Sequence, residues 1–411
     1  VRVGFVSQYF PPEPGAAAHP GVVASALARR GHDVQVLTGF PSYPHGVVYD
    51  GYRQQSRMRD EVDGLSVLRV PYYLSHDQSG ARRALSMLTF GASATLQTGS
   101  LRDADVLLVY ASPATTTIPA MALRAVGRVP YVLYIQDLWP DTVMESGMLA
   151  GSPGARQRVE RVLERACART YRSAERIVVI SEGIRSILAE RGVPEEKLVV
   201  VPNWVDESVF APAAPDPELA RQFSGHALTV MYAGGIGELQ GLHHAVQAVE
   251  SLPSDSGIHL AVLGEGVAKQ GLVDRVRELG LGDRVSFHPG RSLADMPATI
   301  AAADVQLVSL LDRPLFHGTI PSKVQASLAV GSPVLVSAPG DAARLVTGAG
   351  CGLAVPPESP DELAAAMVAL RDLGPQERAA MGQKGRDFYV GNLSERSGAM
   401  ALEQALEAAT G

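Results

Sequence analysis

Lys323 is the residue whose position in this chain poses the sharpest chemical question. It stands in Gly318-Thr319-Ile320-Pro321-Ser322-Lys323, followed by Val324-Gln325-Ala326-Ser327-Leu328-Ala329-Val330-Gly331-Ser332-Pro333. Pro321 fixes φ and lacks an N–H, which suits the first turn of a helix. The Thr319 hydroxyl is placed to cap the first free amides. Val324, Leu328 and Ala329 share one face of a short helix that Gly331 ends, and Val334-Leu335-Val336 reads as a buried strand. Lys323 therefore falls in the first turn, beside unpaired amides at the positive end of the helix dipole. A cation is unfavourable there unless an anion is bound as well. A phosphate resolves that conflict; a solvated lysine is the plain alternative.

Other residues able to do chemistry also follow strands. Leu228–Ala233 runs into Gly234-Gly235-Ile236-Gly237, so backbone amides can point at a phosphate before a helix that begins near Gly241. His259–Leu263 leads to Gly264-Glu265-Gly266, and Val285–Phe287 to His288-Pro289-Gly290. Val305–Leu310 leads to Leu311-Asp312-Arg313 and the Lys323 stretch. In a doubly wound sheet such strand ends converge where a nucleotide sits. In the first half, Asp137 directly follows the strand Tyr131–Ile135, where a carboxylate is placed for catalysis, although Asp137 or Asp141 can equally cap a turn. His45 lies in a loop with two aromatics and reads as a base or a solvated histidine.

The elements that position these residues form βαβ units. Val1–Val6, a helix from Gly21 to Arg30 closed by Gly31, and Asp33–Thr38 make the first; strands at Leu65–Val70, Val106–Tyr110 and Ile177–Ile180 continue the series. Gly15, Ala16, Ala17 and His19 then lie at a site's mouth. The pattern breaks near Pro202–Asp206, and Ala211 to Pro217 has linker composition. Two stretches suggest surfaces. Ala84–Leu96, after Arg82 and Arg83, reads as a core helix or one lying on a membrane. A helix from Arg156 to Arg172 carries Arg158, Arg161, Arg165, Arg169 and Arg172 on one stripe, with Glu160 and Glu164 at pairing distance. That stripe reads as a solvated face or a surface for an anionic membrane or a pyrophosphate-bearing acceptor.

The totals set bounds. At 411 residues the chain favours two domains, and 46% hydrophobic with 19% charged residues is globular composition. A net charge of -7 argues against a nucleic-acid binder. Cys167 and Cys351 stand in no metal or redox spacing, and no apolar run reaches transmembrane length. The expectation is a cytoplasmic protein, peripheral at most to the inner face of a membrane.

Taken together, these motifs resemble the retaining, nucleotide-sugar-dependent glycosyltransferases of family 4, with the GT-B fold, and the branch of fucosamine-type transferases that builds bacterial O-antigen and capsule chains. The matching pieces are Tyr9-Phe10-Pro11-Pro12-Glu13 with Gly15-Ala16-Ala17, Leu37–Pro41 with Tyr43-Pro44, and Asp137-Leu138-Trp139-Pro140-Asp141. Pro202-Asn203 with Val205-Asp206, Tyr232-Ala233-Gly234 with Gln240-Gly241-Leu242, and Pro321-Ser322-Lys323 complete the set in the family's order.

The resemblance implies two Rossmann-like, doubly wound α/β domains facing across a cleft. Residues 1–205 would bind acceptor and 206–390 the donor, while 391–411 would form a helix crossing back. It implies a UDP- or GDP-sugar donor, no cofactor or metal, and a small-molecule or lipid-linked acceptor. Gly15 and Ala16 would lie near the donor phosphates; Gly234, Gly235, Gly237 and Lys323 would hold the diphosphate. Gly264, Gly266, Thr319, Ile320 and Ser322 would line the same pocket, with His288 and Pro289 at the base and Arg313 as a helper. Asp137 and Lys323 would be the catalytic residues, Asp137 orienting acceptor or sugar.

There are departures from the family pattern. Two glutamates with seven residues between them in many relatives fall here on Gly318 and Ala326, leaving Gln325 for the ribose. An arginine and a lysine used against the diphosphate fall on Gly235 and Gln240, and a histidine on Gln136. A nucleotide-sugar epimerase and a non-catalytic sugar-nucleotide sensor are the alternatives.

Overall fold

A computed structural model describes residues 1–75, 79–127, 129–145 and 153–410. The chain divides into two compact units, Val1–Val201 with Ala399–Gly411, and Pro202–Gly398.

The first unit is built on a sheet in the order β3-β4-β2-β1-β5-β6-β7-β8. Its strands are β1 Arg2–Val6, β2 Asp33–Gly39, β3 Met58–Val62, β4 Leu65–Val70, β5 Val106–Ala111, β6 Tyr131–Ile135, β7 Arg176–Val179 and β8 Leu198–Val200. All neighbours pair in parallel except β3 with β4. Central parallel strands are covered on both faces, which is why β5 (Val-Leu-Leu-Val-Tyr-Ala) and β6 (Tyr-Val-Leu-Tyr-Ile) are uninterrupted apolar runs with every residue buried. Edge strand β3 (Met-Arg-Asp-Glu-Val) was not expected; it carries charge because its side chains are exposed or half-buried.

Two loops at the carboxyl ends of this sheet are joined by Glu13. Its buried carboxylate accepts from the amides of Phe10 (2.9 Å), Ser42 (2.7 Å) and Tyr43 (2.8 Å). Burial raises its pKa, and these three donors oppose the rise. Arg69, fully buried, braces the same region through Asp60 (2.7 Å) and the carbonyl of Pro11 (2.6 Å). The helix Glu395–Thr410 ends on the first unit, where Glu403 pairs with Arg30 and lies 3.1 Å from His32 Nε2.

The second unit holds β9 Leu228–Ala233, β10 Ile258–Leu263, β11 Val285–His288, β12 Val305–Ser309, β13 Val334–Ser337 and β14 Gly352–Val355. They are parallel in the order β11-β10-β9-β12-β13-β14, the doubly wound arrangement with its switch point between β9 and β12. Asp216 caps the helix Pro217–Phe223 by accepting from Glu218 and Leu219, and its own amide bonds the carbonyl of Ala298. The Ala211–Pro217 stretch is therefore anchored at its end to this unit.

Candidate functional site

In the second unit the loops after β9, β10, β11 and β12 close on one another. Gly234 N–H donates to Leu263 O (2.9 Å), Ile236 N–H to Glu265 O (2.9 Å), and Gly264 N–H to His288 O (3.1 Å). Ser309 Oγ donates to Gln240 O at 2.7 Å. Gly264 has φ +137°, and a Cβ there would lie 1.9 Å from Gly234 O; one on Gly266 would lie 2.2 Å from Ile236 O. These two glycines let the β10 loop press against the β9 turn, with backbone filling the space a side chain would need.

Lys323 reaches this turn. It lies on the first turn of the helix Ser322–Val330, which Gly331 (φ +89°) ends. The side chain is half-buried and lies so close to Gly234 that a Cβ there would meet Lys323 Cε at 2.5 Å. Lys323 Nζ sits 4.8 Å from the centre of the Tyr232 ring. Tyr232, buried at the end of β9, donates its hydroxyl to Gly235 O at 2.5 Å. One tyrosine thus holds both the turn and the ammonium, by a hydrogen bond and a cation–π contact.

Burial lowers the Lys323 pKa. Among the described residues the ammonium has no carboxylate partner. Lys269 differs: its Nζ donates to Gly264 O (2.9 Å) and pairs with Glu265 (2.7 Å). A half-buried cation with no carboxylate partner among the described residues, set beside a glycine turn and a helix start, stands where an anion would be electrostatically favoured.

Several expectations are corrected. Pro321 caps the helix from outside, with ψ 140°, because the residue before the first helical turn is extended. The Thr319 hydroxyl donates to Leu315 O (2.9 Å), closing the preceding short helix Pro314–His317, and caps nothing in the next one. Three of the four amides in the glycine turn are engaged inside the protein, since Gly237 N–H bonds Gln240 Oε1 (3.0 Å) as well. Gly235 N–H alone has no partner among the described residues. Gln325 is buried and donates to Asn203 O (2.8 Å), so its amide donor is not directed at a ribose. Arg313 is exposed and donates to the Asp312 carbonyl. Ile320 packs on the core and Ser322 is exposed at the helix start.

His288 is half-buried, and the Pro289-Gly290 turn beyond it is exposed. Ser286 Oγ lies 2.8 Å from His288 Nε2 and 2.9 Å from His259 Nε2, and His259 stacks on His226 at 4.3 Å. Burial, reinforced by His226 and His288, lowers the His259 pKa to about 4. A depressed histidine pKa means that acid protonates the unfolded chain first. Stability is then full above the unfolded value of about 6.5 and falls as the pH drops toward 4. Denaturation from about pH 7 to about pH 5 should show a loss of about 2 kcal/mol that His259→Asn removes.

In the first unit Asp137 lies just past β6, and its Oδ2 accepts from Ser112 Oγ at 2.6 Å. Burial raises its pKa. It bonds no helix amide among the described residues; Asp141 begins the helix Asp141–Glu145 and pairs with Arg191 at 2.8 Å. Tyr110, at the end of β5, feels the Asp137 charge, and its hydroxyl is 2.9 Å from His19 Nδ1. His19, Tyr110, Ser112 and Asp137 thus form a polar cluster at the strand ends. Gly15 is exposed with φ +65° and opens the 3-10 turn that contains Ala16; His45 is exposed. Ser112 and Lys269 were not singled out from sequence, and Tyr232 was named only as part of the Tyr232-Ala233-Gly234 motif, without a role. Tyr232 had a signal, a polar-tipped aromatic within reach of the glycine turn.

Two Rossmann-like units, each built on a largely parallel sheet, define the GT-B glycosyltransferase fold. The model of the glycosyl transferase 4-like domain matches residues 15–204, and that of glycosyl transferases group 1 matches 220–388. The chain belongs to family 4 of the GT-B glycosyltransferases. It is 27% identical over 337 residues to WcaI of Escherichia coli, which is named for glycosyl transfer in colanic acid biosynthesis, covering 80% of this chain and 81% of that one. It is 28% identical over 329 residues to the 2-deoxystreptamine glucosyltransferase of Streptomyces kanamyceticus, covering 76% and 78%. In fold it is similar to HepE of Anabaena, solved in complex with UDP, with a TM-score of 0.70, 16% identity and coverage of 99% and 100%.

Proposed function

We propose that this glycosyltransferase moves a sugar, with retention, from a UDP- or GDP-activated donor to a small-molecule or lipid-linked acceptor. The observation that carries the reading is Lys323, an unneutralised ammonium held on the glycine turn after β9. The hard step is departure of the nucleoside diphosphate. The bond from the anomeric carbon to the phosphate oxygen breaks, and its electron pair goes to the diphosphate. The acceptor nucleophile bonds the same carbon from the same face, and its proton passes to a diphosphate oxygen. Lys323, the Gly235 amide and the first turn of Ser322–Val330 stabilise the charge that develops. That neutralisation needs no further cofactor. Asp137, held by Ser112, orients the acceptor or the sugar.

Envelope glycan assembly at the inner face of the membrane is the pathway we favour, supported by the likeness to WcaI. The likeness to the 2-deoxystreptamine enzyme favours a secondary metabolite as the second reading. Thermal denaturation against a nucleotide panel tests the donor. UDP or GDP should raise the melting temperature, by about 2.7 kcal/mol of stabilisation at a hundredfold excess over Kd, and the matching nucleoside should not. A panel in which no nucleoside diphosphate acts would remove the proposal.

A further inference from the structure

Five arginines on one helix stand without a carboxylate partner among the described residues, although Arg161 Nε donates to Gln157 O at 3.3 Å. Arg2, Arg30, Arg69, Arg124, Arg185, Arg191 and Arg378 are all paired with carboxylates. On the helix Pro153–Ser173, Arg158, Arg161, Arg165, Arg169 and Arg172 are exposed, and none has a carboxylate partner among the described residues. The expected pairs with Glu160 and Glu164 do not form. At 100° per residue the five fall within a sector of about 80°, opposite buried Cys167 and Thr170, along ~21 Å of helix. Glu160 and Glu164 lie toward the packed side, so the outward stripe carries one sign of charge.

The same layer shows an apolar stripe. The connections from β4 to β5, β5 to β6 and β6 to β7 run in one direction across the sheet, so right-handed crossovers put their helices on one face. Gly80–Leu96 packs on Thr117–Gly127, where a Cβ on Gly91 would meet Ile118 at 2.8 Å. That helix in turn meets Pro153–Ser173, where Thr170 Oγ1 lies 3.4 Å from Met121 Sδ. Gly80–Leu96 buries Phe90, Gly91 and Ala94, but Leu85 (46%), Leu88 (55%) and Leu96 (83%) remain exposed on its other side. The expectation of a plain core helix at Ala84–Leu96 is thus half right. Between the two stripes Val126 is 84% exposed. An open groove of about 380 Å³, lined by Met121, Arg124, Ala125, Arg169, Arg172 and Ser173, ends the basic stripe.

We infer that this three-helix face docks on an anionic lipid bilayer. The arginines meet lipid phosphates, the leucines enter the headgroup boundary, and the groove seats one headgroup. Charge complementarity selects an anionic partner for five guanidiniums with no carboxylate partner among the described residues, in a chain of net charge -7. The leucines select lipid over nucleic acid, which has no use for an exposed apolar helix face. This deepens the transferase reading by giving its acceptor a membrane source, and it is tested without turnover.

The experiment is co-sedimentation of the full chain with phosphatidylcholine vesicles, with and without phosphatidylglycerol. Binding should require the anionic lipid and weaken steeply as salt approaches about 1 M, where the Debye length is about 3 Å. Changing Arg158→Gln, Arg161→Gln and Arg165→Gln together should lower partitioning about a hundredfold, roughly fivefold for each arginine. Leu85→Ser with Leu88→Ser should remove the part that resists salt. Equal binding to neutral vesicles, an unchanged triple variant, or capture by heparin but not by vesicles would overturn the inference. Thermal shifts with UDP and GDP on the same variants keep the two ideas apart: a shift with either nucleotide but no vesicle binding sinks only the docking face, and vesicle binding without a shift from either sinks only the donor reading.

Discussion

Lys323→Ala should lower kcat about a hundred- to thousandfold with saturating donor. That is the scale, about 2.7–4 kcal/mol, for removing one preorganised group aimed at charge that forms in the transition state. Donor affinity should fall less, about ten- to hundredfold, as for one lost charge-assisted contact of roughly 1.5–3 kcal/mol. The split follows from the geometry. The ammonium is already held on the Tyr232 ring and against Gly234, so no reorganisation is needed when the diphosphate takes on charge. Because burial lowers the Lys323 pKa, nucleotide affinity should begin to fall at a lower pH than for a free lysine as solutions are made alkaline. Steady-state kinetics and calorimetry with UDP measure both numbers. A folded variant with unchanged kcat would leave the diphosphate without its principal cation and end the proposed chemistry.

The second large effect is on the turn itself. Gly264→Ala should cost about 2–6 kcal/mol, the sum of a strained backbone and an overpacked contact of roughly 1–3 kcal/mol each. The φ of +137° disfavours any side chain, and the new Cβ would lie 1.9 Å from Gly234 O, which is backbone and has nowhere to turn. Thermal denaturation checks this, at roughly 2–4 °C per kcal/mol for a unit of this size. Gly235→Ala is the control: its Cβ would meet nothing within 4 Å, so stability should hold. Equal melting temperatures for both variants would mean that the β10 loop does not bear on the β9 turn.

These two residues show different legibility. Lys323 could be read from sequence because its neighbours state the local structure. A proline, a short apolar helix, a glycine stop and a strand leave few places for the lysine to be. The central strands were equally plain, since strands covered on both faces must be continuously apolar, and β4, β6 and β9 begin and end where the sequence indicates. Edge strands β3 and β8 were missed because water on one side removes that constraint.

Partners were another matter. Nothing in the order of residues says that Gln325 bonds Asn203, that Asp137 bonds Ser112, or that Glu13 gathers amides from two loops. Each joins groups far apart in the chain or on separate loops, so the packed fold chose among many local possibilities. The glycine turn is the clearest case. Sequence offered its amides to a phosphate, and tertiary structure engaged three of them within the protein while bringing in a lysine from a segment far along the chain, after the neighbouring strand β12. Local propensity and apolar pattern act over a few residues, so sequence alone determined the elements and their order. Hydrogen bonds and charges are decided by what comes within 3 Å or so, and only the folded backbone sets that distance.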